Sequence, residues 1–253
     1  MAALLANRVA NSARSQVTPV LSFAVVCKRD GHSQASPGQA GTYHDAMVPR
    51  GRGGRSSFSG VIATVFGGST GFVGRYVINR LGREGSQIIV PYRCDPDDIR
   101  HLKVMGDLGQ IIPLTFDVNS DDSLREMMQH SNVVINLMGK DYETRNYRFE
   151  DIHIDIAGRV ASIASELKIP RLIHLSALGS DWKSPSKFLR TKAAGETIVK
   201  NEYPNVTILR PAQIYGREDR YFNDYANHRF FGGVPLYPGG TKAVKQPLYV
   251  STS

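Results

Sequence analysis

The sequence predicts an α/β fold built around a doubly wound parallel sheet, followed by an incomplete second portion at the C-terminal side. From residue 60 onward, short apolar runs alternate with longer amphipathic segments, the order expected when each strand is followed by a helix. The apolar runs show no polar alternation, as expected for strands that are covered on both faces. A glycine-rich turn lies between the first apolar run and the first amphipathic segment.

Each predicted element is an apolar or amphipathic run bounded by turn-forming residues. The strands are expected at 61–66, 87–92, 111–116, 132–137, 171–175 and 206–209. The helices are expected at 73–82, 96–105, 121–129, 149–168 and 187–201. Two acidic pairs at helix starts, Asp97–Asp98 and Asp121–Asp122, are explained by the helix dipole and need no chemical role.

The positive charge of the chain is concentrated near its beginning. The 253 residues carry a net charge of +8, and residues 1–55 contribute five of these charges, with seven basic against two acidic residues. The remaining three positive charges are scattered and form no basic stripe, so we expect no nucleic-acid partner.

The first 29 residues contain arginines spaced among Ala, Leu, Val and Ser, and no acidic residue. Such a basic, amphipathic start is typical of a mitochondrial transit peptide. A secretory signal fits less well, because the arginines precede the short apolar run VLSFAVV and no small-residue cleavage site follows it; a merely disordered terminus is the other alternative. We therefore expect residues 1–45 to be a transit peptide with a disordered processing region, and residues 46–59 to be a linker.

Later in the chain, no apolar stretch approaches the ~18 residues of a membrane-spanning helix, so we expect a soluble or peripheral protein. The two cysteines, Cys27 and Cys94, provide no disulfide framework and favour a reducing compartment. No group of His and Cys residues has metal-ligand spacing, which argues against a zinc or iron–sulfur site.

The glycine-rich turn FGGSTGFVG occupies residues 66–74. Its glycines Gly68, Gly71 and Gly74 follow a predicted strand and open a predicted helix. Glycine there permits a tight turn, the approach of backbone to a pyrophosphate, and close packing of helix on strand. Unpaired amides at the helix N-terminus would hold the phosphates. An ordinary glycine-rich turn is the alternative, but the context favours a dinucleotide site in a domain spanning residues 60–210.

The end of the second predicted strand decides which dinucleotide is expected. An acidic residue there accepts hydrogen bonds from the ribose 2′-OH of NAD, whereas an arginine accommodates an added 2′-phosphate. Arg93 lies 19 residues after Gly74 and can grip a phosphate through two parallel hydrogen bonds. We therefore predict NADPH rather than NADH, with a solvated Arg93 or an NAD site based on Asp95 as alternatives. Asp117, at the end of the third strand, is placed to accept from the adenine amino group or to cap a turn.

Several longer stretches of the chain resemble one family. They are GGSTGFVGRYV, PYRCD, FDV, NVVINLMGKDYETRNYRFEDIH, LRTKAAGE, LRPAQIYGREDR and KQPLYV, between residues 48 and 250. In these stretches the chain is similar to the atypical short-chain dehydrogenase/reductase family, and within it to accessory subunits of mitochondrial respiratory complex I. The resemblance implies a Rossmann fold, a tightly held NADPH, and other complex I subunits as partners. It also implies a position on the matrix side of the inner membrane, peripheral to it and without a transmembrane segment.

The motif and the resemblance together give a set of cofactor-binding residues. They come from the glycine turn, the strand ends, the helix after the fifth strand and the segment after the sixth. The predicted residues are Gly68, Ser69, Thr70, Gly71, Phe72, Val73, Gly74, Arg93, Asp117, Leu137, Met138, Gly139, Ser176, Lys192, Pro211 and Ile214.

The same family supplies a test for catalysis. Its active members use Tyr-x-x-x-Lys, in which the tyrosine donates a proton to a carbonyl while the lysine lowers the pKa of that tyrosine and binds the nicotinamide ribose. This chain has Phe188 and Lys192 at those positions, with Ser176 at the position of the substrate-orienting serine. Phenylalanine cannot donate a proton, and loss of a positioned general acid typically costs about 10²- to 10⁴-fold in rate. We therefore predict no catalytic residue and interpret these three positions as vestigial.

Two other side chains could supply an acid or a base. Tyr215 lies near the expected nicotinamide position, but packing before a glycine turn is the simpler interpretation. His174 lies on a strand between apolar residues and is expected to be a core histidine whose hydrogen bonds are satisfied.

The sequence therefore predicts a non-catalytic accessory subunit of complex I that binds NADPH structurally and supports assembly or stability of the complex. The alternatives are a free-standing NADPH-dependent short-chain reductase with an unorthodox acid, and an NADPH-sensing regulatory protein. Family members build the substrate pocket from segments after the sixth strand, so residues 211–253 are expected to be the truncated start of a substrate-type domain.

Overall fold

The computed structural model describes residues 60–233 and 244–250, so the predicted transit peptide and linker lie outside the described residues. Six strands form the central sheet: β1 (Ile62–Phe66), β2 (Gln87–Tyr92), β3 (Ile111–Thr115), β4 (Val133–Asn136), β5 (Arg171–Leu175) and β6 (Thr207–Leu209). Their order is β3-β2-β1-β4-β5-β6, and every neighbouring pair is parallel. The predicted doubly wound parallel sheet is confirmed.

The strand order fixes where a ligand site is expected. The chain moves outward from β1 to β3 and then returns to β4 on the other side of β1. The connections on the two sides of β1 therefore diverge and leave a crevice at the carboxyl ends of β1 and β4. Ligands of doubly wound sheets bind in that crevice.

The helices are α1 (Phe72–Arg83), α2 (Arg100–Lys103), α3 (Asp121–Met128), α4 (Ala157–Glu166), α5 (Lys187–Glu202) and α6 (Tyr221–His228). Short 3₁₀ turns lie at Pro96–Ile99 and Arg229–Phe231, and a π-helical turn lies at Asp151–Ile156. These helices connect successive strands, as the sequence predicts, and two of them differ from the prediction in type.

The helix expected at 96–105 is a 3₁₀ turn followed by the single turn of α2. Pro96 occupies its first position, and Asp95 Oδ1 accepts a hydrogen bond from Asp97 N at 3.3 Å, which closes the tight turn. The helix expected at 149–168 begins with the π-helical turn and is α-helical over α4. Both differences concern hydrogen-bond spacing, which an apolar periodicity does not specify.

The sheet separates two hydrophobic cores. One contains side chains of α3 and α4 and one face of the sheet, including Phe66 and Leu124. The other contains side chains of α1 and α2 and the opposite face, including Val65, Ile78 and Leu102. Successive residues Val65 and Phe66 of β1 are both fully buried, in different cores. This two-sided burial explains why the strand sequences lack polar alternation.

β2 contains a proline near its carboxyl end. Gln87 N donates toward the β1 side of the strand, and Ile88 N donates toward β3. Because amide directions alternate along a strand, the nitrogen of Pro91 faces β1 and has no hydrogen to donate. The pairing of β2 with β1 accordingly ends at Ile89, whereas its pairing with β3 continues to Tyr92.

After β6, two short strands, β7 (Ile214–Tyr215) and β8 (Leu248–Tyr249), form a parallel pair. Val250 is buried beside them and packs against Phe72 and Tyr76 of α1. Within the described part of the chain, α6 buries none of its own residues. The expected start of a second domain at 211–253 stays a prediction, and its residues 234–243 and 251–253 lie outside the described residues.

α5 crosses the π-helical turn at a point where no side chain fits. A Cβ on Gly195 would lie 2.0 Å from the carbonyl oxygen of His153. The two helices therefore meet backbone to backbone. In α4, by contrast, a Cβ on Gly158 would meet Ile198 Cγ2 at 2.9 Å, a side-chain methyl that can shift.

Gly195→Ala should lower the free energy of unfolding by about 2–3 kcal/mol, because a clash with fixed backbone outweighs the gain of ~1 kcal/mol in helix propensity. Urea unfolding followed by circular dichroism measures the change. Gly158→Ala is the matched control and should alter the free energy by less than about 1 kcal/mol. Equal effects of the two substitutions would contradict the close backbone contact.

Candidate functional site

The turn after β1 is closed by glycines that pack against one another. Gly67 has a φ of +74°, a left-handed conformation that favours glycine. A Cβ on Gly71 would lie 2.6 Å from Gly67 O, and a Cβ on Gly74 would lie 2.5 Å from Gly68 Cα. The turn itself therefore excludes side chains at these positions, before any ligand is considered.

α1 begins directly at this turn, with Gly71 as its N-cap. Gly71 has no side chain to accept a hydrogen bond from the first amides, and the first turn of α1 contains no acidic residue. The partial positive charge at this N-terminus is therefore uncompensated by side chains of the helix. Its amides can serve an anion such as a phosphate.

A cavity of about 430 Å³ lies beside the carboxyl ends of β1 to β4, where the strand order predicts a site. This volume falls within the range of roughly 300–1,000 Å³ found for small-molecule sites. The cavity is lined by Gly67, Ser69, Thr70, Gly71, Pro91, Arg93, Cys94, Phe116, Val118, Leu137, Met138, Gly139, Lys140, Tyr142, Tyr147, Ile152, Ile156 and Arg220.

The lining of the cavity combines three kinds of chemistry. Backbone of the glycine turn forms one part. Apolar side chains from the end of β3 and from the π-helical turn form a second part, and cations from three separate segments form the third. The apolar residues include Phe116, Val118, Ile152 and Ile156, and the cations are Arg93, Lys140 and Arg220.

Arg93 reaches the cavity from the end of β2. Its Nη1 donates a hydrogen bond to the Tyr147 hydroxyl at 3.0 Å, and its guanidinium carbon lies 4.9 Å from the centroid of that ring. Asp95 instead accepts from the amide of Asp97 and does not line the cavity. Of the two alternatives at this strand end, the structure places the arginine in the cavity.

A buried lysine lies beneath Gly139, which is one of the lining residues. A Cβ on Gly139 would lie 3.1 Å from Lys192 Nζ. Lys192 is 6 % exposed, and its ammonium group donates to Leu175 O at 3.2 Å. Burial lowers the pKa of Lys192 to about 8, although the carboxylates of Asp141 and Glu196 favour the charged form.

His153, which the sequence analysis did not single out, is buried beside this lysine. Its Nδ1 lies 3.0 Å from Thr191 Oγ1, and that hydroxyl donates to Phe188 O. Nδ1 therefore carries the proton, and Nε2 accepts from Lys140 N at 3.5 Å. Burial, reinforced by the charge of Lys192, lowers the pKa of His153 to about 3, so its imidazole is neutral.

His174 of β5 is buried as predicted, and burial together with the charge of Lys192 lowers its pKa to about 4. Neither of its ring nitrogens has a hydrogen-bond partner among the described residues. The expectation of a histidine with satisfied hydrogen bonds is therefore wrong. The physical reason is that Leu172 along β5 and Ile208 opposite on β6, which share its face of the sheet, are apolar, and the backbone groups there are used by the sheet.

Glu196 of α5 is 3 % exposed and holds the end of β6. Its Oε1 accepts from Arg210 Nε at 2.9 Å and from Ser180 Oγ at 2.8 Å. Burial raises the pKa of Glu196, but the hydrogen bonds from Arg210 and the interactions with Ser176 and Ser180 outweigh it and lower the pKa to about 2.

Phe188 lies at the start of α5, one helical turn before Lys192. Its ring packs edge-on against Phe149 and His153, with centroid distances of 5.8 and 5.3 Å. The position at which active relatives would have an acidic phenol is therefore filled by a ring that packs against a neutral histidine.

A sequence profile of the NAD(P)H-binding family matches residues 68–233. The chain belongs to the NAD(P)H-binding family. The matched range begins within the glycine turn and includes the lining residues from Ser69 to Arg220.

Two known proteins are similar to this chain in sequence over most of its length. The mouse protein named NADH dehydrogenase (ubiquinone) 1 alpha subcomplex subunit 9, mitochondrial, is 55% identical over 208 residues, covering 82% of this chain and 55% of the mouse protein. The Arabidopsis thaliana protein of the same name is 50% identical over 206 residues, covering 81% of this chain and 51% of that protein. The resemblance seen in the sequence is thus confirmed. The chain spans about half the length of the curated relatives it matches.

Among solved structures, UDP-glucuronic acid 4-epimerase from Bacillus cereus in complex with NAD has a similar fold. The TM-score is 0.56 at 18% identity, with 68% of this chain and 63% of that chain covered. At this identity the likeness concerns the fold, and it agrees with membership of the NAD(P)H-binding family.

The predicted cofactor residues fall into three groups in the structure. Ser69, Thr70, Gly71, Arg93, Leu137, Met138 and Gly139 line the cavity. Gly68, Phe72, Val73 and Gly74 build the turn and the first turn of α1. Asp117, Ser176, Lys192, Pro211 and Ile214 do not line it, and their contact with a cofactor stays a prediction.

Some residues of this third group have structural partners. Asp117 Oδ1 accepts from Asn119 N at 2.9 Å, which is the turn-capping alternative. Pro211 O accepts from Leu178 N at 2.8 Å, and Ile214 pairs with Leu248. Asp117 nevertheless lies between two lining residues at the end of β3.

Sequence reasoning missed several residues of the cavity. Gly67 could have been predicted from the sequence, because it directly precedes Gly68, the first glycine of the motif. Lys140, Tyr142 and Tyr147 follow the carboxyl end of β4. Ligands of doubly wound sheets bind at the carboxyl ends of the strands, so this position could have identified them as candidate residues. Arg220 lies after β6, and no motif around it indicates that its side chain lines the cavity.

Two kinds of feature are lacking from residues 60–233 and 244–250. In these ranges, no group of three or more His, Cys, Asp or Glu side chains is arranged to hold a metal ion. The helices of the same described residues include none with the length and apolarity needed to cross a membrane.

The folded pKa of Glu196 lies below its ordinary value of 4.5, so its ionised form stabilises the fold. That contribution should be complete above pH 4.5 and lost as the pH falls toward 2. Glu196→Gln should therefore be less stable than wild type near pH 7, and the difference should shrink through this range. Urea unfolding between pH 2 and 7 measures it, with Glu202→Gln at the exposed end of α5 as control. A difference that is constant across these pH values would contradict the assignment.

Proposed function

We propose that the protein binds NADPH structurally and serves as a non-catalytic accessory subunit of mitochondrial respiratory complex I. The observation that carries the first part is the presence of Arg93 and an uncapped helix N-terminus in one cavity. Two separate anion sites of this kind fit a dinucleotide with a pyrophosphate and a further phosphate on its ribose.

The residues of the cavity fit NADPH in the following way. Residues 69–71 would bind the pyrophosphate through backbone amides at the start of α1. Arg93 would bind the 2′-phosphate through its planar guanidinium. The carboxylate of Asp95 accepts from the amide of Asp97 and does not line the cavity, so it would not repel that phosphate. Apolar side chains such as Phe116 and Ile152 would receive the adenine ring.

Bound NADPH would supply a hydride, so catalysis would depend on a proton donor in the chain. Phe188 has no proton to donate. The Nδ1 proton of His153 is directed to Thr191, and a pKa of about 3 leaves no imidazolium near neutral pH. Lys192 is buried and directed to a backbone carbonyl. These contacts support a structural rather than a chemical use of the cofactor.

The partnership rests on the relatives rather than on the cavity. Both compared relatives bear the name of a mitochondrial complex I subunit, and the match covers more than four-fifths of this chain. The basic, acid-free first 29 residues agree with import into mitochondria. We infer that the chain works on the matrix side of the inner membrane, peripheral to it, with other complex I subunits as its partners.

A structural cofactor has an energetic consequence. A ligand present at ~1,000 times its dissociation constant adds about 4 kcal/mol to the stability of the folded state. This is a large part of the ~5–15 kcal/mol by which a typical domain is stable. NADPH would thus act chiefly by keeping the subunit folded for assembly.

Arg93→Gln should raise the Kd for NADPH by about 10- to 100-fold and the Kd for NADH by less than about 3-fold, because a charged hydrogen bond to the 2′-phosphate is lost. Isothermal titration calorimetry with both nucleotides measures the effect. Arg100→Gln is the matched control, since Arg100 is exposed, pairs with Asp97 and does not line the cavity. Equal weakening of NADPH and NADH would contradict the 2′-phosphate assignment.

Native mass spectrometry of complex I purified from mitochondria that express this chain tests the whole proposal. We expect the chain to co-migrate with complex I subunits, with one NADPH per copy. That NADPH should stay reduced while the complex oxidises NADH, because Phe188 takes the place of the tyrosine that donates the proton in active members of the family. Recovery of the chain free of the complex, or consumption of its NADPH with a carbonyl acceptor, would instead favour a free-standing reductase.

A further inference from the structure

Three cations and two tyrosines form an alternating row along the cavity, which we call the cation–tyrosine row. Its order is Arg93, Tyr147, Lys140, Tyr142, Arg220. The Tyr147 ring centroid lies 4.9 Å from the Arg93 guanidinium and 5.9 Å from Lys140 Nζ. The Tyr142 ring centroid lies 5.7 Å from Lys140 Nζ and 5.9 Å from the Arg220 guanidinium. All five side chains line the cavity.

Only one of the three cations in the row is paired with a carboxylate of the described residues. Arg220 pairs with Asp141 at 3.6 Å. Neither Arg93 nor Lys140 forms an ion pair with another of the described residues. Tyrosine faces therefore take the place of carboxylates in holding these two cations, and they leave the full charge available to an anionic ligand.

Tyr147 is the fixed member of the row. Its backbone N donates to Thr144 Oγ1 at 3.2 Å, and its carbonyl accepts from Thr144 N at 3.0 Å. Its ring packs against the core on the α3 and α4 side of the sheet. The same segment is tied to α5 by an ion pair of Glu143 with Lys187 at 2.8 Å. The backbone and the ring of Tyr147 are thus held by the body of the protein.

Arg93, by contrast, is an exposed side chain with many rotamers. Ordering such a side chain costs conformational entropy, which lowers the affinity for any ligand that must immobilise it on binding. In the structure, the hydroxyl of Tyr147 accepts one guanidinium hydrogen, and the guanidinium carbon lies over the Tyr147 ring. A guanidinium has five donors, and among residues 60–233 and 244–250 only the Tyr147 hydroxyl accepts from one of those of Arg93, which leaves donors for a bidentate contact.

We propose that Tyr147 is a positioning residue that sets the preference of the cavity for a phosphorylated adenosine ribose. It acts through Arg93, by holding the guanidinium in place before the nucleotide arrives, and so lowers the cost of gripping the phosphate. This inference rests on the proposed function, because it assumes that a dinucleotide occupies the cavity. It adds a residue and a cause for the choice between NADPH and NADH.

The main variant is Tyr147→Phe, which keeps the ring over the guanidinium and removes the hydroxyl. Isothermal titration calorimetry on the full chain measures the Kd for NADPH and for NADH. We expect the Kd for NADPH to rise about 5- to 10-fold and that for NADH by less than about 2-fold, because the guanidinium is no longer held in place and must be ordered when the phosphate binds. Tyr225→Phe on α6 is the matched control, since Tyr225 lies outside the cavity, and it should leave both values unchanged.

A double variant tests whether Tyr147 acts through Arg93. In the Arg93→Gln background, Tyr147→Phe should not change the ratio of the two Kd values further, because no guanidinium remains to be positioned. Thr144→Val offers a second approach that leaves the hydroxyl of Tyr147 intact. It removes the anchor of Tyr147 and should lower the preference for NADPH in the same direction. The unfolding temperature without nucleotide, measured for each variant, separates these effects from loss of fold.

Three results would overturn the inference. Equal weakening of NADPH and NADH by Tyr147→Phe would show that Tyr147 only shapes the cavity. Tighter binding of NADPH would show that Tyr147 competes with the phosphate for Arg93. An additive effect in the double variant would show that the two residues act independently. If the wild-type chain binds neither nucleotide, or binds both equally, the proposed NADPH function fails together with this inference, which distinguishes that case from the other three.

Discussion

The site depends on one constraint, the close approach of backbone to backbone in the turn after β1. With 2.5 Å between a Cβ on Gly74 and the Cα of Gly68, any side chain at this point would push α1 away from β1. The absence of side chains lets α1 start directly at the sheet edge and directs its free amides into the crevice. The start of α1 and the part of the cavity beside it both follow from this contact.

A second constraint lies beneath the cavity, in the buried polar side chains of α5 and the π-helical turn. His153 is neutral and hydrogen-bonded at both nitrogens, and Gly195 lets its carbonyl touch α5. Lys192 is directed to the β5 backbone, and Glu196 holds Arg210 after β6. These groups join the helix to the sheet. Lys192, at the lysine position of the Tyr-x-x-x-Lys motif, is thus one of the groups that hold α5 against the sheet.

The sequence predicted best those features whose physical cause lies within a few neighbouring residues. Two-sided burial predicts the strands from their composition, and the backbone demands of the turn predict its glycines. Arg93 was found because a strand end is a fixed position in this fold. Tyr147 and Arg220 were missed because their position in the cavity depends on which loops meet across it, and that is set by the order of the strands in the sheet. The π-helical turn at Asp151–Ile156 was missed because its apolar spacing is also that of an α-helix.

The missing amide hydrogen of Pro91 bears on the shape of the cavity. Covalent structure keeps β2 from pairing with β1 beyond Ile89. Pro91 and the following Arg93 line the cavity instead of extending that ladder. The width of this end of the cavity is therefore set by the backbone chemistry of one residue.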